Sequence, residues 1–264
     1  MARSGRSTAC LLILLPLSGC GDSHFNLATH RQDYTFTSTE REVEQGRKLA
    51  LRVAREMTIV PDESLQQRVR AIGERIAAVC DRRELVYQFA VVEDKELNAF
   101  SLPGGYVFVN DGLIAQTAND DELASVIAHE VAHIAARHAV KRFESGLGLQ
   151  LVQLATLAAR QGPAAQGVGI ASQAARLAYA REDELEADRL GAKYLKAAGF
   201  NPKAALTFLE KLHASDSSQT HYLPRGVVHP QYALTHPFVP ERIRAVKEAL
   251  YGVADYVDYL NSPN

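Results

Sequence analysis

Apolar residues first recur at helical spacing beyond Glu40, at Val43, Leu49, Val53 and Met57, which predicts a helix there. Pro61-Asp62 punctuates the chain, and Leu65, Val69, Ile72 and Ile76 place a second helix running to about Cys80. Residues 85–92 (LVYQFAVV) read as a strand, as do 98–101 and 106–109, the last two divided by Pro103-Gly104-Gly105. A helix without Gly or Pro follows from about Glu122 to Phe143. Residues 146–160 are apolar, but at 1.5 Å per residue they cover only about 22 Å, short of a ~30 Å hydrocarbon core. They are expected to form a helix packed on the domain, with a loop at 161–169. Further helices are predicted at about 170–198, 202–213 and 239–251, with the Ser-, His- and Pro-rich stretch 214–238 as a long loop. The fold class is therefore α+β and mainly helical, with a small β-sheet of about three strands.

The first twenty residues follow another logic. Arg3 and Arg6 form a positive patch before the short apolar run Ala9 to Leu17, which reads as a secretory signal. Leu17-Ser18-Gly19-Cys20 resembles a bacterial lipobox, which implies cleavage before Cys20 and acylation of that residue. Gly21, and not an acidic residue, follows Cys20, which by resemblance to lipoprotein sorting patterns favours the outer membrane. The expected organisation is a signal peptide at 1–19, a flexible tether at 20–39, one domain at 40–251 and a C-terminal tail at 252–264. Cys10 leaves with the signal and Cys20 carries lipid, so Cys80 has no partner for an intramolecular disulfide. A net charge of -2 leaves no electrostatic footprint for nucleic acid.

Candidate chemistry concentrates in His129-Glu130-Val131-Ala132-His133. Residues four apart on a helix differ by about 40° in direction, so both imidazoles leave one face a turn apart. That spacing suits two neutral imidazoles on one zinc ion, with Glu130 beside them as general base. A catalytic zinc wants a third protein ligand. His138 lies nine residues after His129, about 180° around a continuous helix, and is expected to be a packing or surface residue. Residues 182–188 (EDELEAD) are the better source. Glu184 and Asp188 share a helix face, so Glu184 can ligate and Asp188 can accept the free N–H of a ligating imidazole. Glu182, Asp183 and Glu186 are expected on a solvated acidic face beside Arg181 and Arg189.

HEVAH at 129–133, ELEAD at 184–188 and the following Gly191 resemble the HtpX/BepA/LoiP-type zinc metallopeptidases of peptidase family M48. NAFSLPGGYVFVNDGLI at 98–114 is similar to that family's edge strand and turn, and LTHPFVPERI at 234–243 to its Thr-His-Pro signature. The likeness covers about residues 40–250 and is closer to the lipoprotein branch than to the multi-span branch. It implies a zincin-type (gluzincin) domain with one Zn2+ per chain. It also implies a substrate-binding edge involving Asn98, Ala99, Phe100, Gly104 and Gly105. His236 would be a fourth ligand or switch, and Arg242 an oxyanion stabiliser. His221 and His229, in the same loop, receive no role. The implied protein is a periplasm-facing, outer-membrane-anchored metalloendopeptidase. Its partners would be misfolded or unassembled envelope proteins, the membrane through Cys20, and outer-membrane assembly machinery. The alternative is a chaperone-like assembly factor whose zinc site is blocked and which cleaves little.

Overall fold

The computed structural model describes residues 22–144, 178–219 and 235–261. The signal and lipobox, the apolar stretch 146–160, the loop 161–169, and His221 and His229 lie outside the described residues. Strands β1 (Asp22–Asn26) and β2 (Arg31–Thr35) precede helices α1 (Thr39–Glu56) and α2 (Glu63–Ala77). Then come β3 (Gln88–Val92), β4 (Ala99–Leu102), β5 (Tyr106–Asn110), the short α3 (Asp111–Ile114), α4 (Asp120–Ala135) and α5 (His138–Glu144). Helices α6 (Arg181–Ala197), α7 (Lys203–Gln219) and α8 (Val239–Asn261) complete the described chain.

The three-stranded sheet has the order β3-β5-β4, with β3 parallel and β4 antiparallel to β5. Alternation divides its side chains between two layers. Phe100, Leu102 and Phe108 pack with Val53 of α1, whereas Ala99, Val107 and Val109 join the main core with α2 and α4. The β4–β5 turn needs glycine: Gly104 and Gly105 have φ of 77° and 105°, a region closed to most side chains.

Helix α4 runs through the centre, against α2, α6, α7 and β4, and every residue from Glu122 to Ala135 is buried. Asn119 caps its start by accepting from Glu122 N–H at 2.9 Å, and three acidic residues in the first turn suit the positive end of the helix dipole. Gly191 lets α6 approach closely, since a Cβ there would stand 3.3 Å from His129 N.

Four expectations are corrected. Residues 22–35 of the expected tether form an antiparallel hairpin. Its strands are polar and so carry no apolar period, but Asn26 Oδ1 organises the turn by accepting from Ala28 and Thr29 N–H. Arg137 Nη1 donates to Thr35 Oγ1 at 3.0 Å and holds it to the domain. The helix expected over 122–143 is two helices, because Arg137 adopts φ 59° and reverses the chain before His138. Residues 178–180 are not helical, so the helix expected from about 170 starts, among the described residues, at Arg181. The C-terminal tail is helical to Asn261 after a break at Gly252, where φ is 79°. Among the described residues, no helix is long and apolar enough to cross a membrane.

Glu42 of α1 is buried between two arginines. Arg82 Nη1 donates to both of its oxygens at 2.9 and 3.1 Å, and Arg137 Nε pairs with Oε2 at 3.0 Å. This ties α1, the loop after α2 and the turn after α4 into one unit.

Candidate metal centre and active site

Helices α4 and α6 cross where Gly191 permits, and this brings Glu184 under the two histidines of α4. His129 Nε2 and His133 Nε2 stand 3.0 Å apart, and each lies 3.4 Å from a different oxygen of Glu184. From the segment before α8, His236 Nδ1 reaches 3.3 Å from His129 Nε2 and 3.1 Å from Glu184 Oε1. The donor atoms of these four buried residues all fall within 4.8 Å of one another. Four ligands about 2.0–2.1 Å from one tetrahedral ion stand roughly 3.3–3.4 Å apart, so the donor set fits a small divalent cation. Glu184 Oε2, buried and without a hydrogen bond of good geometry, completes that chemistry.

The protonation pattern agrees. Asp188 Oδ1 lies 2.9 Å from His129 Nδ1, and a carboxylate only accepts, so the proton sits on Nδ1 and Nε2 faces the cluster. Burial drives His133 well below the ordinary imidazole range, which leaves it neutral. Burial and the Arg242 charge oppose protonation of His129 too, but Asp188 and Glu184 outweigh them and its pKa is pushed up to about 9. A cation taking its Nε2 would therefore displace a proton. Burial raises the Glu184 carboxyl, yet His236 and Arg242 hold it well below the carboxylate range.

His236 stands among three acceptors: its Nε2 faces Glu130 Oε1 at 3.3 Å and Ala99 O at 3.4 Å, and its Nδ1 faces Glu184 Oε1 at 3.1 Å. Glu130 is fully buried; Ser101 Oγ of β4 donates to its Oε2 at 2.9 Å, while Oε1 has no hydrogen-bond partner. Thr235 Oγ1 donates to Asn98 Oδ1 at 3.1 Å, so residues 235–236 cover the start of the β4 edge.

Arg242, the expected oxyanion stabiliser, lies beside the cluster with its nitrogens engaged by other groups. Its Nε and Nη2 clamp Asp188 at 2.8 and 2.9 Å, and Nη1 lies 3.1 Å from Glu184 Oε2 and donates to the His236 carbonyl at 3.2 Å. It holds the carboxylates that hold the histidines. Gly104 and Gly105 also lie apart from the cluster: Gly104 N–H donates to Glu42 and Gly105 O accepts from Gln88 N–H, so they form a turn and not a free edge. Phe100 packs beneath α1.

Four neighbours, Ser101 among them, escaped the sequence reading. His138 is 1% exposed and its Nδ1 lies 2.8 Å from His133 Nδ1; the rotation argument failed because the helix ends before it. Glu186, expected on a solvated face, pairs with His138 Nε2 at 3.2 Å. Tyr179 stacks on the His133 ring, with centroids 3.8 Å apart and an interplanar angle of 17°. Strand alternation could have pointed to Ser101, which shares a face with Ala99; no sequence signal marked Tyr179.

The model of the family described as Peptidase family M48 matches residues 63–250. A beta-barrel assembly-enhancing protease of Yersinia pestis is 29% identical over 84% of this chain and 48% of its own length. A putative beta-barrel assembly-enhancing protease of Vibrio cholerae is 32% identical over 72% of this chain and 40% of its own. The mitochondrial metalloendopeptidase OMA1 of Schizosaccharomyces pombe is 31% identical over 69% of this chain and 52% of its own. The chain spans about half the length of the curated relatives it matches. With most of the chain, including the histidine pair and Glu184, inside the matched region, the chain belongs to peptidase family M48.

Proposed function

We propose that this chain is a zinc-dependent metalloendopeptidase that cleaves misfolded or unassembled proteins of the bacterial envelope. The observation that carries the reading is the convergence of His129, His133 and Glu184 donors at 3.0–3.4 Å beside a buried, partly unpartnered Glu130. His129, His133 and Glu184 would hold the ion. When bound, zinc would supply Lewis-acid polarisation of the scissile carbonyl and of the attacking water. Glu130 accepts the proton of that water at Oε1 and passes it to the leaving amine. Ser101 holds Oε2, so the unpartnered oxygen is the one presented. Asp188 keeps the His129 proton on Nδ1.

Access to this machinery would be governed by residues 235–238. His236 lies across Glu130 and the ligands, and its neighbour Thr235 occupies the start of β4. Withdrawal of residues 235–238 would uncover both the base and the strand edge at Asn98, Ala99 and Phe100, where an extended substrate could add by backbone hydrogen bonds. That mode suits unfolded clients. The bacterial relatives, beta-barrel assembly-enhancing proteases by name, support an envelope role, and the lipobox supports anchoring through Cys20 to the outer membrane, facing the periplasm.

The same arrangement favours a second reading, a client-holding assembly factor with little proteolysis. Zinc content together with casein-type cleavage, in the parent and in Glu130→Gln, separates the two. We expect about one zinc per chain in both proteins and a loss of cleavage of about 10²–10⁴-fold in the variant. Cleavage unaffected by Glu130→Gln would overturn the enzyme reading, and a client-protection activity retained with no cleavage in the parent would favour the second.

A further inference from the structure

We infer that His138 and Glu186 form a positioning relay that keeps the proton of His133 on Nδ1 and its lone pair on Nε2. The inference rests on the reading of His133 as a metal ligand and adds two residues that this reading does not use. His133 Nδ1 and His138 Nδ1 lie 2.8 Å apart, so exactly one of the two carries the shared proton. The far side of His138 decides which. Its Nε2 faces Glu186 Oε2 at 3.2 Å and Asp183 Oδ1 at 3.5 Å, and ionised carboxylates only accept. Nε2 of His138 therefore bears hydrogen. With His138 singly protonated its Nδ1 then accepts, and His133, once its Nε2 lone pair is given to the ion, donates from Nδ1. The opposite arrangement would set a bare Nε2 of His138 against two carboxylates. It would also aim a hydrogen of His133 Nε2 at His129 and Glu184, where a lone pair is needed.

The backbone prepares this contact. The left-handed Arg137 turns the chain back at the end of α4, so the first residue of α5 is returned beneath the last turn of α4. Glu186 stands two residues after Glu184 on α6, so one helix supplies both the ligand carboxylate and the carboxylate that ends the relay. Tyr179 closes the other face of the His133 ring.

The test uses the full chain, stripped of metal and titrated with zinc against a competing chelator. Partners of ligating histidines are typically worth 10–100-fold in metal affinity. His138→Leu, which cannot accept, should weaken zinc binding by about that factor. His138→Asn, whose amide oxygen falls near the position of Nδ1, should recover most of the loss, and Glu186→Ala should weaken binding by about tenfold. Glu182→Ala, exposed on the same helix, should bind as the parent does. Proton-detected nitrogen correlation spectra of the zinc-loaded parent should place the His133 proton on Nδ1 and the His138 proton on Nε2. Equal affinity in the parent and in Glu186→Ala, or a His138 proton found on Nδ1, would overturn the relay. If His138→Leu fails to fold by circular dichroism, the Asn and Glu186 variants and the spectrum still decide. A parent that binds no zinc would instead remove the metalloenzyme reading itself.

Discussion

His129 and His133 stand one turn apart on α4, and their remote nitrogens meet unlike partners. His129 Nδ1 meets Asp188 directly at 2.9 Å, and that carboxylate is buried and held by two nitrogens of Arg242. His133 Nδ1 meets a second imidazole, and the carboxylate behind it, Glu186, is 23% exposed. The difference follows from where charge can be tolerated. A buried carboxylate needs a buried cation, and Arg242 brings with it α8, Glu184 and the carbonyl of His236. The half-buried Glu186 meets water and the spread charges of Lys141 and Arg31, so no single buried cation clamps it, but its reach must be extended by an intervening ring. The first side thus joins metal placement to the stability of the whole fold, whereas the second side carries metal placement with little of the fold behind it.

The sharpest way to break this comparison is Asp188→Ala. It leaves Arg242 buried without its bidentate partner, and breaking one member of a buried pair costs about 3–5 kcal/mol. Urea unfolding of the metal-free chain should show that loss, and Glu186→Ala should show far less. Asp188→Leu combined with Arg242→Met removes both charges and should recover most of the stability while zinc affinity stays low. A double variant that recovers neither, or a Glu186→Ala loss as large as that of Asp188→Ala, would show that the two sides do not divide as described.

The turn that delivers His138 offers a second, smaller test. Arg137→Gly keeps a backbone that glycine adopts freely and removes the side chain, with its ion pair to Glu42 and its hydrogen bonds to Thr35 Oγ1 and Thr37 O. Loss of hydrogen bonds to charged groups predicts about 2–3 kcal/mol in urea unfolding. Arg137→Ala loses the same bonds without glycine's relief, so it should be about 1 kcal/mol worse than the glycine variant. Since the turn persists in the glycine variant, its zinc affinity should fall less than that of His138→Leu. The reverse order would mean that the side chain of Arg137, and not the backbone reversal, positions the relay.

The helices, the three strands and the convergence of His129, His133, Glu184 and Asp188 were legible because each rests on a period or a fixed spacing. What was hidden depends on where a period stops. Nothing in ELASVIAHEVAHIAARHAV marks a reversal at Arg137, since alanines and an arginine are good helix formers; the left-handed backbone there shows only in the fold, where the side chain is met by Glu42 and Thr35. That single break moved His138 from the far side of the helix to the ligand. The hairpin at 22–35 was hidden for a related reason: its polar strands carry no hydrophobic alternation. Arg242 was legible as a site residue, but its clamp on Asp188 was not, because that contact depends on how α8 crosses α6.

The smallest test acts on both sides equally and serves as their control. Glu122 begins the helix that carries both histidines. Its carboxylate accepts from Ala118 N–H at 2.7 Å, from Lys211 Nζ at 2.6 Å and from Thr207 Oγ1 at 3.1 Å. Burial pushes this carboxyl up, but the Lys211 ammonium and these donors outweigh it, and its pKa lies below the ordinary glutamate value. A carboxyl lowered on folding contributes stability that is present above its unfolded pKa, about 4.3, and is lost as pH falls through the folded one. Glu122→Gln should therefore cost about 1 kcal/mol at neutral pH, a modest figure because Lys211 is 41% exposed and screened by water. The gap between parent and variant should narrow as pH falls below about 4.3 and close only beneath the lowered folded-state pKa, where the Glu122 carboxyl is neutral in both states. The ratio of zinc affinities between Asp188→Ala and Glu186→Ala should be the same with and without Glu122→Gln. A ratio that moved would mean that the start of α4 favours one imidazole over the other, and that the asymmetry between the two sides begins in the helix itself and not in their partners.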